Sequence, residues 1–219
     1  ANNFHQIIID KNNSEKIFTR QFAQKGSTNW LVLQHGPNGY HNWSGITPSH
    51  DLVAAFEMAD GTLMTGFSNV GDKKTSNPYL NREPRFYATI GFDGCTWGRV
   101  RPADAYPLDP TPLGQLQCGY YEVSGVESTV KIKLPPNDTE LTFKGLSGID
   151  TRQGPIEDWN GSWTGYYERK LVDTSVDGQN YAQNVPWTYF RLAEMYLIAA
   201  EASVELNELE DAASYLDAL

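Results

Sequence analysis

The feature that most constrains this chain is a pair of helical segments at its end. After Pro186, apolar residues recur at spacings of three and four on one helical face: Leu192, Met195, Tyr196, Ala199, Ala202 and Leu206. Asn207 breaks the pattern, and a second stripe follows: Leu209, Ala212, Ala213, Leu216 and Leu219. The small residues allow close approach of the two helices, so the sequence predicts an αα-hairpin of the tetratricopeptide type. Such a unit needs stacked neighbours to bury its apolar face, so we expect a lone hairpin to expose apolar surface.

The rest of the chain reads as loops that connect short elements. Alternating or uninterrupted apolar runs between turn residues predict short strands in the ranges 14–22, 29–34, 81–94, 126–138 and 166–173. A helix is predicted after Ser49, whose side chain suits an N-cap, with Leu52, Val53, Phe56 and Met58 as its apolar set and Gly61 just past its end. The proline-rich stretch from Arg99 to Tyr120 predicts no regular structure.

Charge and hydropathy exclude several partners. The net charge is −10, which argues against binding to a nucleic acid backbone or to an anionic membrane surface. The longest apolar runs cover only a few residues, too few for a membrane-spanning helix. A neutral ligand such as a sugar is compatible with this charge, although the charge does not select for it.

Cysteine and histidine residues give no sign of a metal site. Cys95 and Cys118 are separated by a spacing that does not fit a four-ligand zinc site. Their glycine-rich surroundings permit a disulfide in an oxidising compartment, but two free thiols are the favoured interpretation. His35, His41 and His50 do not follow a metal-binding spacing, and we expect no metal or other cofactor.

Several stretches resemble one protein family in a consistent order. The hairpin resembles the signature of the SusD/RagB family of bacterial outer-membrane nutrient-binding lipoproteins, through Arg191, Ala193, Glu194, Leu197, Ala200, Glu201, Ala202 and Ala212 to Leu216. Upstream, "SEKIFTRQF", "TPSHDLVAAFEMADG", "NREPRFYATI" and "GYYERKLVD" are similar to further elements of the family. The chain departs from the pattern at Glu83, where Asp is usual, and at Leu171, which replaces an aromatic residue.

This resemblance implies a fold and a role. The implied fold is mainly α with loop-rich and short β segments: a loop-rich, SusD-like ligand-binding region over residues 1–185 and a tetratricopeptide-like hairpin over 186–219 of the same domain. The N-terminal half of the family's domain, with its lipid anchor, would then lie outside this chain. The implied role is non-catalytic capture of an oligosaccharide or polysaccharide, or of a peptide, at the bacterial cell surface. The implied partner is a SusC-like TonB-dependent transporter in the outer membrane, and no cofactor is implied.

Aromatic loops supply candidate ligand-binding residues. A sugar presents an apolar C–H face and a ring of hydroxyls, which suit an exposed aromatic plate flanked by hydrogen-bonding groups. The candidates are Tyr40, His41, Asn42 and Trp43 in "NGYHNW", Asp158, Trp159, Asn160 and Trp163 in "EDWNGSW", and Trp97 and Arg99 in "GCTWGR". The alternative for each aromatic residue is that it fills the core beneath its loop.

Two other functions compete with capture. A glycoside hydrolase would need two carboxylates about 5 to 10 Å apart, and adjacent residues such as Glu157 and Asp158 rarely point at one bond. A protein-binding module would use the helical face to dock a partner. Buried aromatic loops would favour that second alternative.

Overall fold

The computed structural model describes residues 2–23, 29–64, 77–98, 114–121, 124–134, 137–152, 154, 159–176 and 183–219. In these ranges the helices are α1 (Asn2–Ile9), α2 (Leu31–His35), α3 (His50–Ala55), α4 (Pro84–Thr89), α5 (Leu192–Glu205) and α6 (Leu209–Asp217). The strands are β1 (Lys16–Arg20), β2 (Ile90–Gly91), β3 (Tyr120–Tyr121), β4 (Glu127–Leu134), β5 (Asn137–Lys144), β6 (Leu146–Ser147), β7 (Tyr167–Glu168) and β8 (Trp187–Arg191). They pair as two-stranded antiparallel sheets: β1 with β8, β2 with β7, β3 with β6 and β4 with β5.

The predicted C-terminal hairpin is confirmed. The chain turns between α5 and α6 at Asn207, which has a left-handed backbone with φ of 62°. Ala200 of α5 and Ala212 of α6 are buried, as expected where small side chains let two helices approach closely. The hairpin also exposes apolar surface as predicted, at positions that include Leu197, Ile198, Leu206, Leu209, Leu216 and Leu219. The apolar stripe inferred from spacing is therefore mostly exposed in this chain.

The sheet of β1 and β8 connects the N-terminal region to the hairpin. The strand predicted within residues 14–22 is confirmed as β1, and Phe18 lies opposite Phe190 in the antiparallel register. β8 runs directly into α5, so this pairing fixes where the hairpin begins. Arg191 at the junction donates from Nη1 to Glu15 Oε1 over 3.2 Å.

Two segments predicted as strands are helical. Residues 31–35 form the helix α2. The prediction of a strand failed there because a four-residue apolar run does not distinguish a strand from a helix by periodicity alone. Residues 84–89 form α4, with Pro84 in the first turn, where a missing N–H costs nothing. Phe86, Ala88 and Ile90 are buried, so the alternating apolar residues of this segment face the core.

Ser49 caps the start of helix α3, and Arg82 binds carbonyls at its end. Ser49 caps α3 as predicted, by accepting a hydrogen bond from Leu52 N–H over 3.2 Å. The helix ends at Ala55, six residues before Gly61, which makes it shorter than predicted. Buried Arg82 donates from Nη2 to the carbonyl of Val53 over 2.8 Å. It also donates to the Phe56 carbonyl, so that one guanidinium satisfies carbonyls at the end of α3.

The β-segment predicted over residues 126–138 is confirmed as β4. Its partner β5 follows directly, and every residue from Glu127 to Leu134 has a partner between Lys144 and Asn137. Strand β5 was not predicted from the sequence. Residues 166–173 were predicted as a strand, but only Tyr167 and Glu168 pair there, as β7.

Among the described residues, two hydrophobic clusters of the core meet at Tyr166 and Tyr167. One cluster is Val32, Tyr40, Trp97, Leu116, Tyr167 and Val172, and the other is Val53, Phe86, Ile90 and Tyr166. Neighbouring side chains on an extended backbone point to opposite sides. Tyr166 and Tyr167 therefore enter different clusters and fix the position of the chain that precedes them.

Candidate functional site

The first predicted aromatic loop, residues 38–43, folds back over α2. Asn38 to Tyr40 form a 3-10 turn, and His41 has a left-handed backbone with φ of 62°. Trp43 N–H then donates to the carbonyl of Leu33 in α2 over 2.7 Å. This path buries Tyr40 and Asn42 and leaves Trp43 outside, with 42% of its surface exposed.

The second predicted aromatic loop is described from residue 159 onward. Trp159 is 60% exposed and Trp163 is 65% exposed, whereas Asn160 between them is buried. Ser162 forms a parallel bridge with Thr151, which attaches this loop to the segment that precedes it. Two large indoles are thus held outside a segment whose polar residues face inward.

A buried hydroxyl connects the two loops. The hydroxyl of Tyr167 on β7 donates to the carbonyl of Asp150 and accepts from Ser162 N–H over 3.2 Å. It also lies 3.3 Å from Oδ1 of Asn38 in the first loop. Burial raises the pKa of Tyr167 well above its ordinary value, so the hydroxyl keeps its proton and remains a donor. Both aromatic loops are therefore anchored to one side chain of the core.

Asp150 strengthens this anchor. Its carboxylate is fully buried and accepts from Gly39 N–H over 3.2 Å and from Gln117 N–H over 2.9 Å. Backbone donors of this kind stabilise a buried carboxylate because they replace its lost hydration. A further bond, from Thr164 Oγ1 to the carbonyl of Pro48 over 2.7 Å, ties the end of the second loop to the chain that follows the first. We refer to residues 38–48, 148–152 and 159–165 together as the loop cluster.

The predicted binding residues divide into two groups. Trp43, Trp159 and Trp163 are exposed in the loop cluster, and His41 is partly exposed there. Tyr40, Asn42, Asn160 and Trp97 are buried, and the rings of Tyr40 and Trp97 pack with centroids 6.2 Å apart. Their loops turn these side chains into the core, and their role in ligand binding stays a prediction. Arg99 and Asp158 lie outside the described residues.

Arg152 belongs to the loop cluster but was not among the predicted residues. Its guanidinium carbon lies 3.7 Å from the centroid of the Trp163 ring, a cation–π contact. Eleven positions separate the two residues, and no motif in the sequence links them. Only the bridge between Thr151 and Ser162 indicates that they are neighbours.

The cysteine and histidine residues considered in the sequence also have defined positions in the structure. Cys95 and Cys118 are not joined by a disulfide bond, and burial raises the pKa of Cys95 to about 11. His35 is buried, and its Nδ1 lies 2.6 Å from Oε2 of Glu168. In the part of the chain that the structure describes, no group of three or more His, Cys, Asp or Glu residues could hold a metal ion. Over the same residues, none of the helices combines the length and apolar character that crossing a membrane requires.

Comparisons with known proteins agree with this architecture. The model of the SusD family, SusD_RagB, matches residues 4–219. A SusD-like protein from Bacteroides fragilis has a similar structure, with 25% identity and a TM-score of 0.55, over 99% of this chain and 37% of that one. A SusD-like carbohydrate binding protein from the same organism is 21% identical with a TM-score of 0.55, over 89% of this chain and 30% of that one. This chain thus spans about a third of their length. No curated protein matches the chain.

Proposed function

Because this chain belongs to the SusD family, we propose that it captures carbohydrate on the loop cluster without chemical turnover. The observation that carries the proposal is the pair of loops with exposed indoles, Trp43 on one and Trp159 and Trp163 on the other, both anchored at Tyr167. Patches of exposed apolar side chains on a protein surface commonly mark ligand-binding sites.

The chemistry of the loop cluster suits a sugar. The flat indole faces take the C–H face of a pyranose ring, because both surfaces are apolar and rigid. Partly exposed His41 can form hydrogen bonds with ring hydroxyls. Since Tyr167 and Asp150 already hold the loops, little conformational entropy is lost when a ligand binds.

The wider role follows from family membership. The proposed location is the bacterial outer-membrane surface, where a lipid anchor holds the protein, and the captured glycan is delivered to a SusC-like TonB-dependent transporter. The solved SusD-like carbohydrate binding protein from Bacteroides fragilis supports a glycan as the ligand. A peptide is the competing cargo, and a glycoside hydrolase is the less favoured function.

A calorimetric screen of oligosaccharides and peptides tests the proposal. We expect an oligosaccharide to bind without appearance of shorter products, and Trp163→Ala to weaken that binding by about 1–3 kcal/mol, by analogy with aromatic–base stacking. Trp187→Ala is the matched control, because Trp187 is 41% exposed on β8, outside the loop cluster. Cleavage of the oligosaccharide would replace capture with hydrolysis, and binding of peptides alone would replace the proposed ligand.

A further inference from the structure

The Arg152 guanidinium lies over the ring of Trp163 and makes few other described contacts. Its guanidinium carbon is 3.7 Å from the indole centroid, and its single described hydrogen bond, from Nη1 to the Gly161 carbonyl, is long at 3.4 Å. Among the described residues, no carboxylate lies within ion-pair distance of Arg152. Most of the five N–H donors of this guanidinium therefore have no described acceptor.

The close approach that creates this stack depends on Gly161. A Cβ atom at position 161 would lie 2.7 Å from the Cα of Arg152, and Gly161 has a φ of +110°, which L side chains rarely adopt. Only glycine lets the second aromatic loop approach the backbone of Arg152 so closely. The bridge between Thr151 and Ser162 then fixes the position of Arg152 relative to Trp163.

The environment of Arg152 differs from that of two other arginines, Arg191 and Arg85. Arg191 pairs with Glu15 and Arg85 pairs with Glu83, so each of those cations has a carboxylate partner. Burial lowers the pKa of Arg152, which means that its cation has lost part of its hydration. A partly desolvated cation without an acid is costly unless something supplies the missing acceptors.

We propose that Arg152 and Trp163 form a subsite for an acidic sugar, one that carries a carboxylate or a sulfate. The planar guanidinium donates two parallel hydrogen bonds to such a group, a geometry that a neutral hydroxyl does not match. The exposed indole takes the ring of the same sugar or of its neighbour. This subsite rests on the proposed capture of carbohydrate and narrows its ligand to acidic glycans.

The overall charge makes the local cation more important. The net charge of −10 repels an anionic glycan at long range. A preference for acidic sugars therefore depends on a specific contact, and removal of one arginine is expected to abolish it.

The test uses two matched pairs of probes. One pair is an oligogalacturonate and its methyl ester, in which a neutral ester replaces each carboxylate. The other pair is a sulfated galactan oligosaccharide and its desulfated form, which differ only in the sulfate, so that the two pairs distinguish the two anionic groups. We expect at least one acidic probe to bind more tightly than its neutral counterpart.

Variants of Arg152 then test whether that preference depends on this residue. Arg152→Gln is expected to lower the affinity for the acidic probe about ten- to a hundred-fold, the range for a charge-assisted hydrogen-bond pair. The affinity for the neutral probe should stay unchanged. Arg152→Lys keeps the charge without the planar fork and should retain part of the affinity. Arg20→Gln removes the same charge from exposed β1 and should change nothing.

The outcomes separate this proposal from the proposed function. Equal binding of acidic and neutral probes, or a preference that survives Arg152→Gln, overturns the acidic subsite. If neutral glycans bind with dependence on Trp163 and no acidic probe binds, the subsite fails while carbohydrate capture stands. If no glycan of any kind binds, both fail. If Arg152→Gln does not fold, equal binding of acidic and neutral probes by the unmodified protein still overturns the subsite, and a partial loss of the preference in Arg152→Lys supports it.

Discussion

Removal of the Tyr167 hydroxyl tests whether one side chain anchors both aromatic loops. In Tyr167→Phe the ring stays in the core, but the Asp150 carbonyl loses its donor and Ser162 N–H loses its acceptor. Leaving a buried polar group without a partner costs about 1–3 kcal/mol, and two such groups give about 2–6 kcal/mol. We therefore expect the free energy of unfolding to fall by that amount.

Urea-induced unfolding, followed by tryptophan fluorescence, measures this change. The matched control is Tyr189→Phe, because Tyr189 is half exposed on β8 and lies outside the loop cluster. We expect the control to stay within about 0.5 kcal/mol of the unmodified protein, as is usual for surface substitutions. The slope of free energy against urea should be the same for all three proteins, because the buried surface hardly differs.

Equal losses of unfolding free energy in the two variants would refute this account. If Tyr167→Phe costs no more than Tyr189→Phe, the hydroxyl does not hold the loops and another contact must. A second readout is glycan affinity. Loosened loops have more conformational entropy to lose on binding, so Tyr167→Phe should also bind more weakly.

Three other substitutions or reactions have definite expected outcomes. Ser49→Ala removes the N-cap of α3 and should lower the free energy of unfolding by about 1 kcal/mol in a urea titration, whereas no loss would show that the cap is dispensable. Gly161→Ala places a Cβ 2.7 Å from the Arg152 backbone and should cost about 1–3 kcal/mol more than Gly94→Ala, which has a similar positive φ but open space around it; equal costs would contradict the clash. Cys95 should react slowly with an alkylating reagent at pH 8, because burial raises its pKa to about 11 and leaves little thiolate. Mass spectrometry measures the rate of this labelling. Labelling as fast as that of a free peptide thiol would show that Cys95 is accessible.

The elements that could be predicted are those with a local signal. The Ser49 cap, the helical periodicity after Pro186 and the alternation in β1 depend on residues a few positions apart. Helix α2 was misassigned because its apolar run is too short to show a period. Helix α4 was misassigned because alternation from Phe86 to Ile90 also fits a helix with a buried face.

The candidate site could be predicted only in part. Loop composition identified both loops that carry Trp43, Trp159 and Trp163, but it could not tell an exposed indole from a buried one such as Trp97. That difference is set by long-range contacts. The bond between Tyr167 and Asn38 spans 129 positions, and no pattern within either loop indicates it.

The position of Arg152 could not be predicted for a related reason. It stands beside Trp163 because Gly161 permits a close backbone approach and because Thr151 bridges Ser162. Each of these residues is common in loops, so none of them signals a cation–π contact by itself. The contact depends on the packing of residues 148–152 against residues 159–165, and neither segment alone carries a signal for it.

Whether both aromatic loops serve one ligand is the central claim, and calorimetry tests it most directly. The measurement titrates the best-binding oligosaccharide into the unmodified protein and into the Trp43→Ala and Trp163→Ala variants. One ligand per chain, with both variants weaker by about 1–3 kcal/mol, is the predicted result. Two independent ligands per chain, or an affinity that depends on only one of the two tryptophans, would contradict a shared site on the loop cluster.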